Sequence, residues 1–228
     1  MTETKRKSSK VVLLHGLGRT PLSMAYLANR LKRAGFTPCN LSYPSRKYSV
    51  ETLARDFVLP AIEECLQDGN PVHFVTHSLG GIVVRQLVAS GAKINIGRVV
   101  MLAPPNGGSE VVDALIKYAL FNAVNGPAGR ELGTSENDLP KSLGPASFEV
   151  GIIAGNRTVN PLLSRMIEGE NDGKVSVENT KLKDMADFLV LPVSHPFIMM
   201  KKVVAEEAIH FLGHGAFRKS EEGEMLNP

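Results

Sequence analysis

The segment Thr76-His77-Ser78-Leu79-Gly80-Gly81 sets a serine between an apolar run, residues 72–76, and a stretch of helical apolar spacing that opens at Leu79. A sharp turn from strand to helix holds such a serine in strained geometry with its hydroxyl above the sheet, and helix and strand pack closely only if the neighbours are small. Gly80 and Gly81 meet that need. The start of the helix adds free N–H groups and the positive end of a dipole, both of which favour negative charge developing on a substrate oxygen. The chemistry this arrangement fits is attack by Ser78 on an acyl carbonyl; the plainer alternative is a serine that only caps a helix. A serine hydroxyl is a weak nucleophile at neutral pH, so a histidine must come within hydrogen-bond reach. Six histidines are available. His15 follows the first apolar run, His73 lies inside the run before the serine, and His77 adjoins Ser78 and is expected to point away from it. His210 and His214 fall at the far end of the last helical stretch, whereas His195 follows directly on the last apolar run, within Ser194-His195-Pro196-Phe197.

The elements that must position these residues alternate along the chain. Apolar runs of strand length lie near residues 11–14, 37–42, 72–76, 98–103, 148–154 and 188–193, each largely apolar, as buried parallel strands are. Between them, residues 24–34, 50–66, 79–89 and 196–212 carry apolar side chains at helical spacing. Alternation of this kind predicts an α/β architecture, a mostly parallel sheet of six strands joined by crossover helices. Gly35, Gly69 and Gly91 follow three of the helices, where a left-handed cap is wanted. One interval breaks the rhythm: residues 104–146 hold no strand pattern and are punctuated by glycine and proline. Inside it, Val111, Ala114, Leu115, Tyr118, Ala119 and Asn122 share a helical face, which predicts an apolar helix over 111–124. Two readings stay open, a core crossover helix or a cap (lid) over a pocket.

Three segments together resemble the α/β-hydrolase superfamily, and within it the compact bacterial lipases and esterases. Val11-Val12-Leu13-Leu14-His15-Gly16-Leu17-Gly18 resembles the opening strand and His-Gly turn, and Thr76 to Gly81 resembles the nucleophile elbow, with Thr76 where glycine is more usual. Val99-Val100-Met101-Leu102-Ala103-Pro104-Pro105-Asn106-Gly107-Gly108-Ser109 resembles the strand and Pro-containing loop that follow in lipases, departing at Asn106 and Gly107. The resemblance spans residues 11–211. It implies a catalytic triad of Ser78 as nucleophile, His195 as base and Asp172 as the orienting acid, the last within Glu170-Asn171-Asp172-Gly173-Lys174-Val175. Glu170 is the reserve acid, while Asp138 falls in the interval 104–146 and Asp184 and Asp187 sit before the final strand as surface or capping residues. It also implies an oxyanion hole from the backbone N–H groups of Leu17 and Leu79, and a structural role for His15. The implied activity is hydrolysis of carboxylic esters through an acyl-enzyme. A thioesterase or acyltransferase on the same triad, and a non-catalytic binding protein on the same fold, are the alternatives.

Composition bounds the rest. A chain of 228 residues, 43% hydrophobic, suits one domain over 11–217, with a basic tail over 1–10 and a second tail over 218–228, both expected to be disordered. The net charge of +3 arises from Lys5, Arg6, Lys7 and Lys10 less Glu3, which leaves 22 basic and 22 acidic residues in the remainder. That balance argues against a nucleic-acid partner. No apolar run approaches membrane-span length, the first residues are polar, and the only two cysteines, Cys39 and Cys65, form no metal-type pair, so a soluble cytoplasmic protein is expected. The acidic cluster 168–172 lacks the ligand alternation of a calcium loop, so no metal is expected, and the chemistry requires no cofactor. The expected partner is a small or lipid-like ester, with transient contact at a lipid surface through the apolar helix 111–124.

Overall fold

The computed structural model describes residues 9–65 and 70–218, so the expected tails lie mostly, and the expected cap Gly69 wholly, outside the described residues. Six strands, β1 (Lys10–Leu14), β2 (Thr37–Leu41), β3 (Val72–His77), β4 (Ile96–Leu102), β5 (Val150–Gly155) and β6 (Asp187–Leu191), form one sheet in the order β2-β1-β3-β4-β5-β6. Every pairing is parallel. Each expected strand is present, displaced by no more than two residues at either end. Successive side chains of a strand point to opposite faces, and both faces are buried here. Val12, Leu14, Phe74, Val99, Met101 and Ile152 pack on one side, and Val11, Leu13, Val75, Val100, Leu102 and Ile153 on the other. That explains why the strands read as continuous apolar runs.

Helices cover both faces. The connection from β1 to β2 runs through α1 (Ala25–Arg33), which buries Leu27 and Leu31 against the second face. From β2 to β3 the chain passes through α2 (Val50–Thr52), a wide π-type segment (Leu53–Val58) and α3 (Leu59–Cys65), packing Val50, Leu53, Val58 and Ile62 against the first face. A single regular helix was the expectation over 50–66. Pro60 explains the difference: its ring lacks an N–H and crowds the carbonyl one turn earlier, and a widened turn immediately before it relieves both. Helix α4 (Leu79–Ala89) joins β3 to β4, with the boundaries expected. Gly35 and Gly91 adopt the left-handed conformation after α1 and α4.

The interval 104–146 contains α5 (Glu110–Leu115), α6 (Ala119–Arg130) and α7 (Leu139–Ser142) and no strand. The single helix expected over 111–124 is therefore two, broken where Tyr118 is extended (φ −95°, ψ 123°) and where Asn122 Nδ2 donates to the freed carbonyl of Ile116 (2.7 Å). Val112 and Ala128 belong to the same buried cluster. In one straight helix they would lie about 24 Å apart along the axis. A second kink follows at Gly126 (φ 68°), beside Pro127. Helices α8 (Pro161–Ser164) and α9 (Val177–Thr180) lie between β5 and β6. After β6 a tight 3₁₀ segment (His195–Met200) and α10 (Lys202–His214) replace the one helix expected over 196–212, because Lys201 between them is extended. Ile198, Met199, Val204, Ala208 and Phe211 all reach the second face, so their spacing read as one stripe although two segments supply it.

The chain leaves β1 for β2 on one side and returns to β3 on the other. In an open parallel sheet, such a reversal leaves a crevice at the carboxyl ends of the two strands, where ligands bind. The loop at Leu17 and the turn at Ser78 flank it.

Candidate active site

Ser78 occupies the turn between β3 and α4 at φ 52°, ψ −120°, a region that non-glycine residues adopt only when their surroundings impose it. Its N–H donates to Leu102 O (2.9 Å), and its carbonyl accepts from Gly81 N (3.0 Å). Gly80 is required by contact: a Cβ there would stand 2.6 Å from Leu14 O. Gly16 is equally constrained, since a Cβ would meet the His77 ring at 2.7 Å. As first residue of α4, Leu79 has an N–H with no carbonyl one helical turn before it. Leu17 lines the cavity over Ser78.

The structure brings Ser78, His195 and Asp172 together from three separate loops. Ser78 Oγ lies 3.1 Å from His195 Nε2, and His195 Nδ1 lies 2.7 Å from Asp172 Oδ2. Nδ1–H donates to the carboxylate, which leaves Nε2 as the acceptor for the serine hydroxyl. The other carboxylate oxygen accepts from the N–H groups of Lys174 (3.0 Å) and Val175 (2.9 Å), so the acid is held in a tight turn of its own. His195 N donates to Asp172 O (3.1 Å), tying the two loops by backbone as well. The acid loop packs close to its neighbours: a Cβ on Gly155 would meet Asp172 Cβ at 3.1 Å, and one on Gly173 would meet Thr158 Oγ1 at 2.4 Å.

The other residues weighed from the sequence lie elsewhere. Asp138 caps Ser135 N, and Asp187 sits within β6, accepting from the N–H groups of Phe188 and Phe217. Glu170 has an exposed side chain, and its carbonyl accepts from Val177 N. His73 accepts from Arg98 N, and His210 stacks on His214 at the end of α10. His15 is buried, stacks on Tyr43 and bonds through Nδ1 to Gly16 O (2.9 Å), while Tyr43 OH donates to His15 O. This pair and Ser45 Oγ, which accepts from Gly18 N (3.0 Å), frame the loop that presents Leu17.

His77 departs from its expected orientation. It stays in the site, with Nε2 3.1 Å from His195 O and its ring centroid 5.0 Å from that of His195. Alternation along β3 turns it to the face on which the 3₁₀ segment lies, and that segment carries His195 across it. Burial, and then the positive charge that His195 can bear, hold His77 well below the ordinary imidazole value, so it is neutral.

Ser78 and His195 open into a cavity of about 240 Å³. Its walls are mostly apolar, with Val111, Val112 and Leu115 from α5, Phe121 from α6, and Leu132 and Leu163 beyond them. Arg19 and Lys174 also line it, and neither was singled out from the sequence. Nothing in one dimension distinguishes them from other surface cations.

The alpha/beta hydrolase family model matches residues 11–192. No curated protein matches the sequence. Among solved structures, the chain is similar to the mature form of a lipase from Bacillus licheniformis, at 19% identity and TM-score 0.72, over 91% of this chain and 93% of that one. It is similar to a phospholipase from Legionella pneumophila at 18% identity and TM-score 0.73, over 92% of this chain but 60% of that one. A monoacylglycerol lipase from Paleococcus ferrophilus is similar at 19% identity and TM-score 0.55, over 90% and 94%. At these identities the likenesses show the fold alone.

Proposed function

We propose that this chain, which belongs to the alpha/beta hydrolase family, is a serine hydrolase that cleaves carboxylic esters through an acyl-enzyme. The observation that carries the reading is the unbroken hydrogen-bonded row from Ser78 Oγ through His195 to Asp172 Oδ2, with the serine in the strained conformation of an elbow. In the proposed cycle Ser78 Oγ bonds to the acyl carbon while its proton passes to His195 Nε2. The N–H groups of Leu17 and Leu79 receive the charge on the carbonyl oxygen. Collapse breaks the bond to the leaving alcohol, which takes the proton from His195, and water then repeats the sequence to release the acid. Asp172 holds the tautomer and offsets the imidazolium charge without taking the proton. The apolar cavity walls support an apolar acyl group, α5 and α6 act as its cap, and the free thiols of Cys39 and Cys65 suit a reducing, cytoplasmic setting.

The test is intact-mass analysis and peptide mapping after treatment with a fluorophosphonate, which reports an activated serine without a choice of substrate. A single adduct on Ser78 is expected. A folded protein with no adduct, or with one on another serine, overturns the assignment.

A further inference from the structure

Two cations share the cavity with Ser78 and His195, and among the described residues neither forms an ion pair. Arg19 makes one long contact, from its guanidinium to Pro196 O (3.5 Å). Lys174 is attracted by Asp172, but both oxygens of that carboxylate are occupied by His195 and by the N–H groups of Lys174 and Val175. Desolvation by the surrounding wall, and then the charge of Arg19, lower Lys174 from its ordinary value, although the residue remains exposed at the surface. Both residues keep solvent exposure at the cavity wall, where water screens their mutual repulsion, and no carboxylate among the described residues pairs with either. An anion bound at this wall would supply the partner that both side chains lack. The cavity lining contains no carboxylate.

Their position says which part of a substrate the anion belongs to. Arg19 lines both the main cavity and an adjoining depression of about 380 Å³, walled by Thr20, Ser23, Tyr26, Pro196 and Phe197. The apolar walls from α5 and α6 suit the acyl chain, which leaves the part of the cavity lined by Lys174 and by Arg19, the residue shared with the depression, for the alcohol half. We propose that Arg19 and Lys174 form an anion subsite for the leaving group, and that the substrate is an ester whose alcohol carries a phosphate or a carboxylate close to the scissile bond. This rests on the acyl-serine reading above. It adds no chemical step: the alcohol departs with the His195 proton, its anionic group unchanged.

Three octanoyl esters that differ only in the alcohol test it: glycerol, glycerate and glycerol 3-phosphate, each used as monomers in low salt. A charge-assisted hydrogen bond corresponds to about tenfold or more in affinity. The expected result is therefore a kcat/KM at least about tenfold higher for one anionic ester than for the glycerol ester, carried mainly by KM and shrinking as salt is added. The anion that gains more identifies the group. In R19Q and K174Q, each checked for an unchanged melting transition, the ratio of anionic to neutral kcat/KM should fall towards one; R19K should keep part of it. Equal rates on all three esters in the wild type, or a preference that survives both substitutions, overturns the subsite while leaving ester hydrolysis standing. Absence of turnover together with absence of fluorophosphonate labelling at Ser78 overturns both.

Discussion

The demands on Ser78 are geometric before they are electronic: a left-handed backbone, a glycine two residues on with no room for a methyl, and an imidazole at 3.1 Å. Ser78→Ala should lower kcat on the order of 10⁶-fold, and Asp172→Asn, which alters the tautomer and leaves the shape, on the order of 10⁴-fold. Steady-state kcat measured on purified, folded variants checks both, and near wild-type turnover in either would remove that residue from the mechanism. His77 allows a second prediction. Its folded-state value is depressed well below 6.5, so native protein refuses a proton that unfolded protein accepts once the pH falls below about 6.5. Stability should therefore be insensitive to this group above that pH and decline below it, by up to about 1.4 kcal/mol per pH unit. Buried His15, lowered by the same cause, adds in the same direction. Urea midpoints between pH 7.5 and 5 measure the slope, and His77→Gln should flatten it; an unchanged slope in that variant would mean His77 titrates alike in both states. That Ser78, His195 and Asp172 lie within hydrogen-bond reach of one another could be anticipated from the sequence, because Ser78 and His195 follow strand ends closely and the loop of Asp172 resembles the acid loop of the family. Arg19, Lys174 and the inward turn of His77 could not be, because they matter only through what faces them across the cavity.

At the scale of elements, the four inner strands could be read because burial on both faces makes each a short apolar block, while the edge strands β2 and β6 are only partly buried and were read from their place in the alternation. The helices were less legible at their interruptions. Spacing reports which residues face the core but not whether one segment or two delivers them, as the splits at Tyr118 and Lys201 show. Nor does it report what ties the interval 104–146 down. One such tie is Arg85, buried on α4 seven residues after the nucleophile. Its guanidinium donates to Asn106 O (3.3 Å) and Oδ1 (3.1 Å), Pro140 O (2.7 Å) and Gly144 O (2.8 Å). One planar fork thus fixes both ends of the interval to the helix that begins at Ser78. Arg85→Met keeps the bulk but strands these acceptors, and should destabilise the protein by about 1–3 kcal/mol. Limited proteolysis should then cut first within 104–146. A stability loss with the cleavage pattern of the wild type would show that the fork supports α4 alone.

For the whole molecule, the parallel sheet sends every connection that follows a strand to the same end. Leu22 follows β1, Leu120 follows β4, Leu162 follows β5 and Phe197 follows β6, and their exposures are 80%, 77%, 66% and 47%. Ile116, Tyr118, Val124, Met166 and Met200 add to them. Next to three of these exposed residues stand Phe121 and Leu163, which line the cavity, and Pro196, which lines the adjoining depression. Large exposed apolar side chains thus adjoin the lining of the site in sequence, and Leu22, Phe197 and Met200 line the depression beside it, whereas scattered single ones would need no explanation. Such exposed apolar side chains should meet an ester–water interface and present the cavity to it. Burying a leucine side chain contributes about 1.5–3 kcal/mol, so Leu120→Ser combined with Leu162→Ser should lower hydrolysis of an emulsified long-chain ester by about tenfold or more. Neither side chain lines the cavity, so the rate on a monomeric short-chain ester should stay within about twofold. Comparing the two substrates in the double variant separates access to an interface from chemistry. Equal losses on both would place these leucines in the architecture of the cap, and no loss on either would make the protein an esterase of dissolved substrates with exposed apolar side chains that serve another contact.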